Sequence, residues 1–399
     1  MALVEVNGEY SEVINFAMQH NYVPIIRSLQ IRNITDQRLD DIIIKIGTDP
    51  GFAYEWNTQI SSIPVGETVE LDNIDIKLSQ SFLYSVSERI NGIIKITVLQ
   101  NDKIIQEELR PISVLAFDEW SGSLYMPEIL TSFVIPNNEY VISVIRNASK
   151  LLEKWTGSPS FTGYRTQNPN NVRKQAAAIY EALSQENIVY SNPPASFEAV
   201  GQKVRLADTV LKQKIGTCLD LTLLYAACLE YVGINPIIIL ISGHAFLGIW
   251  IEDECFAESI QDDFSLISKR IADGINQICV VECTAFVAGK TVLFEQAVES
   301  AEKHFMDPRS FNIFIDVKRS RGAGIRPLPI AVRTADAGIE FVPTDIKEIR
   351  DRTKEFTNID IEVNTEPEKY TKQQMWERKL LDMNLRNTLI NFRFISGGT

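Results

Sequence analysis

Short apolar runs separated by polar turns fill residues 23–117, and hydrophobic positions within the runs follow a period of about two. The runs include Ile25–Ile31, Ile42–Ile46 and Ile93–Leu99. Turn residues, which mark predicted breaks between strands, lie at Asp49–Gly51, Pro64–Gly66 and Asn91–Gly92. This spacing is typical of a β-sandwich, so we predict an all-β N-terminal domain over residues 1–118, with a structural or docking role.

After residue 118 the hydrophobic period changes to that of a helix. Apolar residues from Tyr140 to Trp155 recur at i, i+3, i+4 and i+7, and a second stripe runs from Ala176 to Leu183. Residues 200–290 read as helix, strand, strand, helix and strand, followed by a helix at 294–305 and a strand at 311–317. The pattern predicts an α+β domain over residues 119–330.

The remaining residues have a different character. Residues 331–370 are charged and weakly patterned, so we predict a linker. Residues 371–399 contain the start of another amphipathic helix around Trp376 and Leu380, with nothing after it to cover its apolar face. We therefore expect a truncated helical domain here and a natural protein that is longer.

Composition excludes several classes of partner. Lys and Arg number 39 against 52 Asp and Glu, a net charge of 39 − 52 = −13, and this argues against binding of a phosphate backbone by these residues. No apolar run reaches the roughly 18 residues that span a bilayer, and the first residues lack the pattern of a signal peptide. Five cysteines are too few for a secreted disulfide framework. We expect a cytoplasmic protein with reduced thiols and no membrane contact.

Cys218 has the sequence context of a reactive thiol. Thr217 and Asp220 form the Ser/Thr-x-x-acid pattern of a capping box ahead of the apolar run 221–232, which puts Cys218 at the first helical position. There the unpaired backbone N–H groups and the helix dipole favour a thiolate, and the same groups can donate to an oxyanion. Gln202, upstream of the nucleophile, is a candidate second oxyanion donor, with an ordinary surface residue as the alternative.

A thiol nucleophile needs a base, and the chain has three histidines. His20 precedes the β domain and His304 falls in a helix that we predict to be peripheral, which leaves His244, at the start of an apolar strand. Glu282 is a lone acid in the apolar segment 278–284, and burial of a carboxylate is unfavourable unless it is paired. We predict a triad in which Glu282 orients His244 and His244 activates Cys218.

These segments together resemble the transglutaminase-like (papain-type) superfamily of cysteine hydrolases. The resemblance rests on four motifs within residues 170–290, namely Gly216–Asp220, Gly233–Pro236, Gly243–Trp250 and Glu282–Thr284. It implies an immunoglobulin-like sandwich followed by a transglutaminase-like α+β domain and a short helical segment. Glu282 stands where the family usually has Asp, and Cys283 where it has Pro. The arrangement also resembles the N-terminal part of large bacterial proteins that carry C-terminal helicase and nuclease modules, in a setting of defence against foreign DNA.

The resulting hypothesis is a thiol-dependent acyl transfer, with hydrolysis of a peptide or isopeptide bond favoured over crosslinking and a protein or peptide as substrate. The alternative is a catalytically silent scaffold or protein-interaction module. Cys255, Cys279 and Cys283 raise the possibility of zinc, but no C-x-x-C pair supports it, so we predict neither a metal nor a cofactor.

Overall fold

The computed structural model describes residues 3–72, 74–192 and 201–329. The chain divides into two compact units, of which the first comprises Met1–Leu130 and Phe197–Val204 and the second Thr131–Ser196 and Arg205–Thr399. The predicted domain boundary at residue 118 thus lies inside the first unit. That unit extends to Leu130 and also includes the short segment Phe197–Val204.

Two of the predicted segments, the linker over 331–370 and the helical segment over 371–399, lie outside the described residues. Among the described residues, helix accompanies strand in several sheets, so the predicted α+β class is confirmed.

The first unit consists mainly of strands, with two short helices. In chain order these elements are β1 (Val4–Tyr10), β2 (Val13–Ile14), α1 (Phe16–His20), β3 (Ile26–Asn33), β4 (Leu39–Asp49), β5 (Trp56–Ile63), β6 (Thr68–Leu71), α2 (Gln80–Ser85), β7 (Ile90–Gln100), β8 (Lys103–Val114) and β9 (Glu119–Trp120). The strand orders are β1-β3-β6 in one sheet and β2-β8-β7-β4-β5 in another, and β9 pairs with the two-residue strand Gln202–Lys203.

Alternating burial explains the long strands of the five-stranded sheet. Ile42, Ile44 and Ile46 of β4 are buried while the residues between them are less so, and they pair with β7, where Ile44 lies opposite Val98. One face of each strand therefore enters the core, as the period of two predicts. The three apolar runs identified in the sequence correspond to β3, β4 and β7, with Ile25 directly before β3.

The predicted break at Asn91–Gly92 is wrong, because both residues lie inside β7. A Cβ atom at Gly92 would come within 2.9 Å of the Phe52 ring and 3.1 Å of Val114. Glycine here allows a close approach of side chains to a strand, and it does not mark a turn.

The second unit combines helices with a five-stranded sheet. Its helices are α3 (Glu139–Thr156), α4 (Pro169–Ser184), α5 (Ala207–Gln213), α6 (Cys218–Tyr231), α7 (Phe264–Ile271), α8 (Phe294–Glu302) and α9 (Val317–Gly322), and its sheet strands are β10 (Pro236–Ile241), β11 (His244–Trp250), β12 (Ile260–Gln261), β13 (Ile278–Val281) and β14 (Phe311–Asp316). The strand order is β12-β14-β10-β11-β13, with antiparallel neighbours. A separate pair, Val189–Tyr190 with Ile215–Gly216, is parallel.

Helix α6 lies at the centre of this unit. Every residue from Cys218 to Leu229 is buried, as expected for a helix that is apolar on all sides. It packs against β10 and β11 and against helices α3, α4 and α5. The helices and strands predicted over residues 140–317 are confirmed, and α5 is an additional helix that the pattern did not predict.

Candidate active site

Cys218 is the first residue of α6, where the capping box predicted from the sequence is formed. The Thr217 hydroxyl accepts from the Asp220 backbone N–H at 3.3 Å, and the Asp220 carboxylate accepts from the Thr217 backbone N–H at 2.9 Å. Asp220 is fully buried and also accepts from Arg205, through the backbone N–H at 2.8 Å and the guanidinium at 3.1 Å. The Asp220 carboxylate is therefore satisfied by hydrogen bonds, and these bonds hold the helix start that carries Cys218 in place.

His244 and Glu282 meet because two neighbouring strands of the sheet carry them. Leu247 of β11 lies opposite Val281 of β13, so the register continues to place Glu282 beside Phe246. His244 is two residues from Phe246 and shares its face of the sheet, which makes it a diagonal neighbour of Glu282. The His244 Nε2 atom lies 2.8 Å from Glu282 Oε2.

The His244 side chain is also hydrogen-bonded to Cys218. A carboxylate accepts only, so Nε2 of His244 carries a hydrogen and donates it to Glu282. The remaining nitrogen, Nδ1, is then the one available to the thiol. In this tautomer a neutral ring accepts the thiol proton, and a charged ring donates to the thiolate. The His244 side chain thus has two hydrogen-bond partners, Cys218 and Glu282.

These contacts change the acid-base behaviour of His244. Burial opposes the charged ring, but hydrogen bonds to Cys218 and Glu282, together with the charges of both groups, outweigh it and raise the pKa of His244 to about 10. The imidazolium is the favoured form of this ring at neutral pH.

The buried carboxylate of Glu282 accepts hydrogen bonds from three residues. Glu282 is 6% exposed. Oε2 accepts from His244, while Oε1 accepts from the Thr284 backbone N–H at 2.9 Å and the Thr284 hydroxyl at 2.8 Å. Burial alone would raise the pKa of Glu282, but the hydrogen bonds from His244, His304 and Thr284 lower it far below its usual range. The ionised carboxylate is therefore stable in this position.

The second donor to Glu282 Oε2 is His304, which sequence reasoning dismissed as peripheral. Its Nε2 atom lies 3.0 Å from Oε2, the same oxygen that His244 contacts. His304 lies in the 3₁₀ turn Lys303–Met306 that follows α8, and α8 packs against β13. The Phe246 ring lies beside both imidazoles, with its centroid 6.2 Å from that of His244 and 5.0 Å from that of His304, and the two imidazole centroids are 5.2 Å apart. The rarity of histidine in this chain was the signal that could have found it.

Tyr190 is a second residue that sequence reasoning missed. The parallel pair sets Tyr190 opposite Gly216, two residues before Cys218, and the Tyr190 hydroxyl is hydrogen-bonded to the Cys218 sulfur. Burial, followed by the charge and hydrogen bond of Cys218, raises the pKa of Tyr190 to about 12. Cys218 itself is only 4% exposed. The nucleophile candidate thus has two polar partners, His244 and Tyr190.

Other candidates from the sequence lie elsewhere. Gln202 belongs to the first unit, where it pairs with Trp120, and its role as an oxyanion donor stays a prediction. In the part of the chain that the structure describes, no group of three potential metal ligands includes Cys255, Cys279 or Cys283. Cys279 instead contacts the Arg173 guanidinium at 3.3 Å, and Cys255 is exposed.

A cleft of about 430 Å³ opens beside the histidines. Its lining includes the three residues of the polar cluster and side chains from the segments that flank it, namely His244, Glu282, Thr284, Lys290, Ser300 and His304. His244, Glu282 and His304 all line the cleft, so solvent can approach this polar cluster.

Comparison with known proteins gives weak similarities. No family model matches the chain, and no curated protein matches it. A protein from Parabacteroides distasonis described as a candidate protease matches over 56% of this chain and 60% of its own length, at 10% identity and a TM-score of 0.21. A family 76 glycoside hydrolase from Bacteroides thetaiotaomicron matches over 52% and 46%, at 10% identity and a TM-score of 0.13.

The chain spans 60% or less of the length of these two structures. TM-scores this low carry no conclusion about fold or activity. Separately, none of the helices within the described ranges is long and apolar enough to cross a membrane.

Proposed function

We propose that this protein is a thiol-dependent acyl-transfer enzyme, a cysteine hydrolase in which Cys218 is the nucleophile, His244 the proton carrier and Glu282 the residue that orients His244. The observation that carries the proposal is the position of the His244 ring, which is hydrogen-bonded to Cys218 and also donates from Nε2 to the buried carboxylate of Glu282 at 2.8 Å. A carboxylate in that position sets the tautomer and stabilises the imidazolium.

The reaction proceeds in two halves. The reaction starts with the Cys218 proton already on Nδ1 of His244, since the imidazolium is the favoured form of that ring. The sulfur attacks the carbonyl carbon of a peptide or isopeptide bond, and the carbonyl oxygen becomes an oxyanion. His244 gives the Nδ1 proton to the leaving nitrogen as the carbon–nitrogen bond breaks, which leaves a thioester on Cys218. Water then loses a proton to His244 and attacks the thioester carbon, and the carbon–sulfur bond breaks to release the sulfur beside the reprotonated ring. The acid product leaves.

The finer parts of the sequence interpretation belong to this proposal. The motifs around Cys218, His244 and Glu282 resemble the transglutaminase-like superfamily, and the strand spacing of the first unit favours an immunoglobulin-like sandwich. A cytoplasmic location, a protein or peptide substrate, C-terminal helicase and nuclease modules and a role in defence against foreign DNA rest on the sequence resemblance and composition alone.

Alkylation kinetics test the proposal. In a Cys255→Ser background, which removes the exposed thiol, iodoacetamide labelling is followed for each cysteine by mass spectrometry. We expect Cys218 to react at least about tenfold faster than Cys228, a buried thiol of the same helix, because a positioned base contributes about 10²–10⁴ in rate. His244→Ala and Glu282→Gln should remove the difference, whereas His20→Ala should retain it.

A specific observation favours a second candidate, the silent scaffold. Cys218 is 4% exposed and its sulfur is hydrogen-bonded to the Tyr190 hydroxyl, an arrangement that keeps large acyl groups away unless Tyr190 moves. If Cys218 is labelled as slowly as Cys228 in the protein with an intact triad, the result would support the scaffold and contradict the enzyme. Capture of a peptide acyl group on Cys218 would support the enzyme.

A further inference from the structure

Three metal-binding side chains converge on one point of the second unit. The Nε2 atoms of His244 and His304 lie 2.8 and 3.0 Å from the same oxygen of Glu282, and ligand atoms of the three residues all lie within 4.8 Å of one another. The side chains come from three separate segments, β11, the residue after β13 and the turn after α8. Two imidazoles and one carboxylate are a ligand set that Zn²⁺ uses in proteins.

The distances fit a metal ion after an adjustment of the two rings. Donors bound to Zn²⁺ at about 2.0–2.1 Å in a tetrahedron lie about 3.3 Å from one another. Each ring would therefore move away from Glu282 Oε2 by a few tenths of an ångström, from the observed 2.8 and 3.0 Å. The ligand nitrogens of the two rings, which lie within 4.8 Å of each other, would approach to about 3.3 Å. His304 has the freedom to do so because its side chain is 31% exposed. The adjoining cleft gives an ion, and a water as fourth ligand, a way in.

We propose that His244, Glu282 and His304 form a binding site for a divalent transition-metal ion, with Zn²⁺ as the probe. A bound ion would take the place of the hydrogen bond between Nε2 of His244 and Glu282. The site is argued from this geometry and does not depend on the function proposed above.

The same geometry assigns Cys218 to the other side of the ring, outside the set of ligands. Glu282 occupies the Nε2 side of His244, and the described residues that line the cleft include the three ligands but not Cys218. A bound ion should therefore have nitrogen and oxygen ligands and no sulfur ligand. This prediction separates the proposed site from a simple thiol–zinc adduct.

Cobalt spectroscopy of the full 399-residue chain tests the site directly. In the Cys255→Ser background, Co²⁺ should bind with one-to-one stoichiometry, develop visible d–d absorption without the near-ultraviolet band of a sulfur ligand, and be displaced by Zn²⁺. His304→Gln retains a side-chain N–H toward Glu282 but lacks an imidazole. It should weaken binding by about 100-fold or more, because even loss of an outer partner lowers metal affinity by roughly 10–100-fold.

His20→Ala removes the one histidine outside the cluster and should bind Co²⁺ like the parent. Circular dichroism of each variant establishes that it is folded, and Glu282→Gln provides a second ligand variant if His304→Gln is not. Equal Co²⁺ binding by the parent and both ligand variants would overturn the site, as would a sulfur-to-cobalt band that disappears in Cys218→Ser.

Iodoacetamide labelling of Cys218 in EDTA tests the thiol enzyme separately from the metal site. Slow labelling in EDTA together with tight metal binding would contradict the thiol enzyme, and fast labelling without metal binding by the folded parent would contradict only the metal site.

Discussion

At the scale of single residues, Glu282 links the whole site. A carboxylate that is only 6% exposed is unfavourable without partners, and Glu282 has His244, His304 and Thr284 as donors. The argument from burial predicted one histidine partner correctly. It could not predict the second, because the demand for hydrogen bonds specifies how many donors are needed and not where in the chain they come from.

Tyr190 carries a prediction at this scale. Tyr190→Phe removes the hydroxyl that is hydrogen-bonded to Cys218 and leaves the ring in place. The rate of Cys218 alkylation should rise about two- to tenfold, because a neutral hydrogen bond contributes roughly 0.5–1.5 kcal/mol to the covered state. Stopped samples analysed by mass spectrometry give the rate. Tyr231→Phe, at the far end of α6, is the matched control, and an unchanged or lower rate in Tyr190→Phe would contradict the covering role.

At the scale of elements, α6 combines two functions in one helix. Its buried residues form the centre of the second unit, and its first residue is Cys218. The capping box of Thr217 and Asp220 therefore both stabilises the helix and sets the position of the sulfur. The sequence predicted this element closely, since the capping pattern and the apolar run are local signals.

Removal of the cap should separate these roles. Thr217→Ala should lower the free energy of unfolding by about 1 kcal/mol, as for other N-cap hydroxyls, and should also reduce the alkylation rate of Cys218 because the helix start frays. Asn168→Ala removes the N-cap of α4 and is the matched control. It should destabilise the protein to a similar extent and leave Cys218 labelling unchanged. Urea unfolding and mass spectrometry measure the two effects, and equal labelling losses in both variants would contradict the local role of Thr217.

At the scale of the whole molecule, the site depends on long-range pairing within the second unit. Strands β11 and β13 bring His244 to Glu282 across 38 residues of sequence, and α8 brings His304 to the same carboxylate. These contacts should contribute to the stability of that unit as well as to its chemistry.

The contribution of His244 should depend on pH. Its pKa rises from an ordinary value of 6.5 to about 10 in the folded protein. Burial acts to lower this pKa, but the hydrogen bonds and charges of Cys218 and Glu282 outweigh burial. A raised folded pKa gives stability that is fully present below pH 6.5 and is lost as the pH rises toward 10. The free energy of unfolding of the parent minus that of His244→Gln should therefore fall between pH 7 and 10. Urea titrations in EDTA at several pH values measure it, and a constant difference would contradict the shift.

The sequence by itself determined the local elements of this protein and identified His244 and Glu282 as candidates to act with Cys218. Hydrophobic period, capping residues and lone polar side chains are properties of short segments. They therefore predicted α3, α6 and β11 and indicated Glu282 as a candidate site residue. The break predicted at Asn91–Gly92 was wrong because, in a sequence, a glycine required by side-chain packing looks the same as one required by a turn.

Only the tertiary structure decided which distant side chains meet. His304 lies near the end of a predicted helix and Tyr190 in a segment with no strong pattern of its own. They reach the site because α8 packs on β13 and because the strand at Tyr190 pairs with the one before α6. The physical reason is that strand pairing and helix packing act between segments far apart in the chain. A single sequence records each segment's preference for structure, but not the neighbour against which it folds.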